Sequence, residues 1–136
     1  MDESTTKKPS ELHPKSEIVL TGDGTYEIFG FILDGIYKED ILLYLAKELQ
    51  MRGLVGEEYG AAVLEREKEF PTGLPTEPVC VAIPHSDKQY VFRSGVAVAK
   101  LRNPVVFKNM GAPEEDLDVK LIFLLAVPKD EDKVPM

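Results

Sequence analysis

The chain has 136 residues, a length that suits one globular domain burying roughly two-thirds of its unfolded surface. Hydrophobic residues make up 43% and charged residues 29%, enough apolar material to oppose chain entropy, which excludes global disorder. A net charge of −8 argues against nucleic-acid phosphates as a target, and one cysteine, Cys80, with two histidines excludes an internal disulfide and the usual structural zinc sites.

Residues 1–16 hold one large aliphatic after Met1, Leu12, and are read as a flexible N-terminal tail ahead of a domain over 17–136. Aromatic and β-branched residues over 26–33 (Tyr26, Ile28, Phe29, Phe31, Ile32) predict a short strand, although the apolar positions do not alternate cleanly. Over 38–51, Ile41, Leu42, Leu45 and Leu49 form the stripe of an amphipathic helix, with Gly53 placed to stop it. A second helix is expected over 57–69, opened by Glu57 and Glu58 and closed by Pro71. The loop 71–78 (PTGLPTEP) is too rich in proline for a helix and leads into a strand over 79–83 that ends at Pro84 and His85. Further strands are predicted at 95–101, at 105–107 after an Asn103-Pro104 turn, and at 119–127. The last is apolar on both faces, which calls for helices on either side of a layered α/β or α+β sheet. No apolar run approaches the ~20 residues of a bilayer span, and no secretory leader opens the chain, so a soluble cytoplasmic protein is expected.

His85 is the residue best placed for chemistry, because a strand delivers it directly after a proline and Ser86 and Asp87 follow. A histidine without a task is the ordinary alternative. A Ser-His-Asp triad is disfavoured because immediate neighbours in extended backbone point to opposite faces. A metal site lacks companions, since only Cys80 and the tail residue His13 could join it. A phosphoryl acceptor needs only one neutral imidazole nitrogen with positive charge and donors nearby. The window 79–108 supplies five basic residues (Lys88, Arg93, Lys100, Arg102, Lys108) against one acid, Asp87, although strand-end cations are often merely solvated.

The segments LEREKE (64–69), FPTGLP (70–75), VAIPHSD (81–87), SGVAVAKLRNPVVF (94–107) and DVKLIFLLAV (118–127) resemble, in order and spacing, the IIA domains of the bacterial phosphoenolpyruvate-dependent sugar phosphotransferase system, fructose and mannitol superfamily. The PTGLP spelling looks most like the galactitol-specific branch. The resemblance implies an α/β fold, a mixed sheet with helices packed on both faces. It implies a phosphocarrier, a phosphotransferase component that uses no metal or cofactor. His85 matches the histidine that accepts the phosphoryl group from phospho-HPr and passes it to a cysteine of a cognate EIIB, with the EIIC permease at the membrane, to which the soluble protein would be recruited. Arg66 matches the helix arginine that stabilises the phosphate. A guanidinium suits that task because its planar fork fits phosphate oxygens. Thr72 and Gly73 match the TG loop beside the site, as possible donors or plain turn formers, and the backbone at Ser86 and Asp87 completes the expected phosphate contacts. Val91 and Phe92 are candidates for an apolar docking patch.

The pattern also departs from the family. A second site histidine of the mannitol type has no counterpart except His13, and the chain reaches Met136 soon after its last strand, so a C-terminally truncated domain is expected. Two alternatives stay open at this point: a regulatory, nitrogen-type EIIA paralogue that controls partners through its phosphorylation state, and a non-catalytic protein-binding module.

Overall fold

A computed structural model describes residues 17–21, 27–35 and 37–128. The tail 1–16 with His13, residue Tyr26 and the terminal stretch 129–136 lie outside the described residues.

Helix α1 (Lys38–Met51) has the bounds expected from its apolar stripe. Ile41, Leu42, Leu45, Ala46 and Leu49 are buried along one face, and Glu39 and Asp40 sit in the first turn, where the helix dipole favours negative charge. The chain leaves α1 at Gly53, whose φ of 81° lies in the left-handed region that costs glycine least. Helix α2 (Tyr59–Glu69) begins two residues later than expected. Glu57 and Glu58 belong to a turn instead, in which the Tyr59 amide donates to the Gly56 carbonyl at 3.2 Å. Pro71 ends α2 as anticipated, after the Phe70 amide has closed on the Arg66 carbonyl at 2.7 Å.

The strands are β1 (Glu17–Thr21), β2 (Glu27–Leu33), β3 (Gly73–Leu74), β4 (Cys80–Ala82), β5 (Gly95–Asn109) and β6 (Ala112–Ala126). They form one mixed sheet: β1 is antiparallel to β2, β2 parallel to β5, β5 antiparallel to β6, and β4 parallel to β6. Short β3 is antiparallel to β4 and touches β5 where Gly73 aligns with Asn109. The α/β class and the mixed sheet agree with the resemblance.

One face of the sheet carries the core. Phe29, Phe31 and Leu33 of β2, Ala97, Ala99 and Leu101 of β5, and Ile122 and Leu124 of β6 are all buried. Helix α1 covers this face, with Tyr44 edge-on to Phe31 at 5.6 Å and Lys38 Nζ 5.4 Å from the centroid of the Phe107 ring. Each fully buried leucine in this layer contributes about 1.5–3 kcal/mol by leaving water. Helix α2 packs on α1, so among the described residues the covering helices meet one face; the alternate positions Ile28, Ile32, Val96, Val98, Leu121 and Phe123 are half-buried.

Two expectations about the strands need correction. Asn103-Pro104 is not a turn: β5 runs unbroken from Gly95 to Asn109, and the register against β6 shifts between Lys100 and Val105. A bulge absorbs the proline, which has no N–H to give to a ladder. The reversal falls instead at Met110 and Gly111, where the Gly111 amide donates to Asn109 Oδ1 at 2.9 Å, and β6 starts seven residues earlier than its apolar run. That early half, PEEDLDV, alternates exposed acids with buried Leu117 and Val119, so apolar content alone did not mark it.

Gly73 is a point of close backbone approach. A Cβ there would lie 2.5 Å from the Lys108 carbonyl oxygen, a backbone atom that cannot rotate away. Gly73→Ala is expected to lower stability by about 1–3 kcal/mol in denaturant unfolding, the usual cost of forced overpacking. An unchanged midpoint would show that β3 and β5 are free to separate.

Candidate functional site

Strand β4 runs on through Ile83 and Pro84 to His85, which aligns with Leu125 of β6 in an isolated parallel bridge. The Leu125 amide donates to the Pro84 carbonyl at 3.0 Å, so the backbone on the amino side of the imidazole is tied to the sheet. Tyr59, wholly buried at the start of α2, donates its hydroxyl to the Leu125 carbonyl at 2.6 Å. Burial pushes the Tyr59 phenol well above its ordinary range and keeps it a neutral donor.

The ring itself is half-buried, and His85 Nδ1 lies 3.0 Å from the Ile83 carbonyl oxygen. A carbonyl only accepts, so Nδ1 carries the proton, and in the neutral ring the lone pair belongs to Nε2.

Arg66, in the last turn of α2, reaches the turn that follows His85. Its Nη1 donates to Asp87 Oδ1 at 3.0 Å, between side chains 36% and 62% exposed, so the pair is open to solvent. The guanidinium carbon stands 5.1 Å from the centroid of the Phe70 ring, and Arg66 Nε is buried without a hydrogen-bond partner.

The TG loop is engaged differently from what the sequence suggested. Thr72 is buried, and both its donors are taken by one carboxylate: the amide by Glu67 Oε2 and the hydroxyl by Glu67 Oε1, each at 2.9 Å. The Thr72 carbonyl accepts from the Ile83 amide at 3.2 Å. Gly73, buried, accepts the Met110 amide on its carbonyl at 2.7 Å and serves the close approach to β5. Thr72 and Gly73 therefore hold the site's floor; in this arrangement the Thr72 donors are not open to a phosphate. Ser86 is also buried, with its hydroxyl donating to the Asp87 carbonyl at 2.8 Å, and the Asp87 carboxylate is occupied by Arg66.

Most of the basic window disperses on folding, while Lys88 stays in the short turn directly after Asp87. Arg93 pairs with Glu27 at 2.9 Å and Lys108 with Asp116 at 2.6 Å, while Lys100 and Arg102 line a separate cavity of about 310 Å³ with Lys120, Ile32 and Leu101. The candidate docking pair also divides: Val91 is buried, aligned with Val55, and Phe92 is 64% exposed. Phe70, at 57%, adds a second exposed ring next to Arg66. Among the described residues no group of three or more His, Cys, Asp and Glu side chains is placed to hold a metal ion, and no helix is long and apolar enough to cross a membrane.

Residues 31–136 match the family model described as phosphoenolpyruvate-dependent sugar phosphotransferase system, EIIA 2. The chain belongs to this EIIA family. It is 27% identical over 109 residues to the galactitol-specific EIIA component of Escherichia coli strain K12, covering 78% of this chain and 72% of that one. Among solved structures it resembles IIA mannitol from the E. coli complex with phosphorylated IIB mannitol, at 26% identity and a TM-score of 0.63 over 84% of this chain and 74% of that one. The crystal structure of IIA mannitol from E. coli matches at 27% identity and a TM-score of 0.55, over 74% and 69%. The EIIA assignment carries the phosphocarrier role, and the sequence-level resemblance is borne out.

Glu67 is the residue of the candidate site that sequence reasoning missed. It follows Arg66 in the LEREKE motif, where it reads as one more solvated helix acid, yet it is only 5% exposed. It begins a chain of hydrogen bonds: Glu67 holds Thr72, Thr72 holds Ile83, and Ile83 holds His85 Nδ1. Burial raises the Glu67 pKa above the ordinary 4.5, against the opposing pull of the two Thr72 hydrogen bonds, Lys38 and His85. A raised native pKa means that the folded protein keeps this proton where the unfolded chain has lost it. The resulting stability is full below about pH 4.5 and fades as pH rises through the native value. Glu67→Gln should therefore lack this component of the pH dependence in urea unfolding above pH 4.5; identical wild-type and mutant slopes would contradict it.

Proposed function

We propose that His85 is the phosphoryl acceptor of this EIIA, that phospho-HPr is its donor and a cysteine of a cognate EIIB its acceptor, and that the chain serves uptake of a galactitol-type sugar through an EIIC permease. The observation that supports this reading best is the Nδ1 contact to the Ile83 carbonyl at 3.0 Å, which leaves the Nε2 lone pair for attack, with Arg66 reaching the turn that follows.

In the first step the Nε2 lone pair forms a bond to phosphorus while the N–P bond of phospho-HPr breaks, its electron pair returning to the donor imidazole. The transferring group passes through a loose transition state with charge on three equatorial oxygens. The Arg66 guanidinium and backbone amides of the turn after His85 stabilise that charge. The Ile83 carbonyl holds the Nδ1 proton and offsets the positive charge that grows on the ring. In the second step a cysteine thiolate of EIIB attacks the same phosphorus, the Nε2–P bond breaks, and His85 returns to its neutral form. No metal takes part in either step.

The galactitol assignment draws on the PTGLP segment and the galactitol-specific relative. The EIIB partner draws on the mannitol pair, in which a IIA of this fold is bound to a phosphorylated IIB. Exposed Phe70 and Phe92 would offer apolar contact to either partner. Recruitment to the membrane would follow from the permease complex.

Incubation with enzyme I, HPr and phosphoenolpyruvate should label the protein with an acid-labile, alkali-stable phosphate. His85→Ala should abolish the label, and Arg66→Ala should slow its appearance about 10²-fold, the usual cost of losing one transition-state donor. Full labelling of the His85→Ala protein would remove the proposal.

A further inference from the structure

Asp87 stands two residues beyond His85 and already holds the guanidinium that the phosphoryl group requires. The contact is a single one, Nη1 to Oδ1 at 3.0 Å, and the Asp87 side chain is 62% exposed. Resting on the phosphocarrier reading above, we infer that Asp87 is the resting counter-ion of Arg66, which exchanges this carboxylate for the phosphoryl group on His85 and is reclaimed by it on transfer to EIIB.

The energetics favour such an exchange. Solvent-exposed ion pairs shift equilibria by a factor of only about five or less, so Asp87 orients Arg66 without locking it. A phosphoryl group brings up to two negative charges and can accept two parallel N–H bonds from the planar guanidinium, which one carboxylate oxygen on one Nη1 does not match. Arg66 Nε has no partner in the resting arrangement, so the guanidinium is left incompletely satisfied.

The displaced carboxylate stays within the reach of its own short side chain. The Asp87 backbone is held at its carbonyl, which accepts the Ser86 hydroxyl at 2.8 Å and the Tyr90 amide at 3.4 Å. Asp87 therefore stays near the phosphoryl group as a like charge and opposes its accumulation. A carrier must release what it holds, and an acid competing for the one arginine sets an upper limit on how tightly the phosphoryl group is bound. This role differs from a phosphate contact by Asp87: the residue would weaken the phosphorylated state and leave its formation possible.

The test uses the full chain with phospho-HPr at equilibrium, the phosphoryl partition being read by ³¹P NMR. Asp87→Asn, isosteric at an exposed position, should shift the partition about two- to ten-fold toward the EIIA and slow onward transfer to EIIB. Asp87→Glu should restore the wild-type partition. The difference between wild type and Asp87→Asn should shrink in 1 M salt, where screening acts within about 3 Å. A merely structural role would give neither the direction nor the salt dependence. A wild-type chain that takes no phosphoryl group from phospho-HPr would overturn the phosphocarrier reading itself. A labelled wild type with an unshifted or oppositely shifted Asp87→Asn partition would overturn the exchange alone.

Discussion

The hydrogen bond between His85 Nδ1 and the Ile83 carbonyl is the contact on which the account of this protein depends. At 3.0 Å it fixes the ring against the end of β4 and assigns the proton to one nitrogen. Its geometry is inherited from elsewhere: Ile83 is held through its amide by Thr72, and Thr72 through both its donors by the buried Glu67. Helix α2 thus contributes two consecutive residues with different tasks. Arg66 reaches outward to the turn after His85, while Glu67 reaches inward and holds the loop beneath it. The same helix is tied at its other end to β6, through the Tyr59 hydroxyl and the carbonyl of Leu125, the residue aligned with His85. One helix therefore sets both the floor and the charge of the site.

The electrostatics are sparer than the linear charge count suggests. Arg93 and Lys108 are neutralised by local acids, and Lys100 and Arg102 belong to a cavity of their own. Arg66 reaches the turn and is shared with Asp87, and Lys88 stands exposed in the turn itself. Modest stabilisation suits a carrier, since a phosphoryl group surrounded by several fixed cations would be slow to leave.

How much of this could be read beforehand depended on whether the determining contacts were local. Helix α1 was legible to the residue because its stripe of Ile41, Leu42, Leu45 and Leu49 and the stop at Gly53 are local signals. The strand that delivers His85 was legible for the same reason, being a short apolar run halted by a proline. The partnership of Arg66 with the His85 turn came from the family resemblance, not from periodicity. The bulge at Asn103-Pro104 was hidden because the same dipeptide makes turns in isolation, and only pairing of β5 with β6 on either side forces it to stay extended. Whether Thr72 was a donor or a turn former stayed open because nothing in its neighbourhood reveals that a helix residue five positions earlier will claim both its hydrogens. Glu67 was missed as the other half of that same contact.

The central claim concerns one nitrogen, and nitrogen NMR addresses it directly. Long-range ¹H–¹⁵N spectra of ¹⁵N-labelled protein at neutral pH should show the neutral His85 ring as the Nδ1–H tautomer, and after phosphorylation the ³¹P–¹⁵N coupling should appear on Nε2. A resting ring protonated at Nε2, or a coupling found on Nδ1, would contradict the account, because the Ile83 carbonyl would then hold nothing that matters to the transfer.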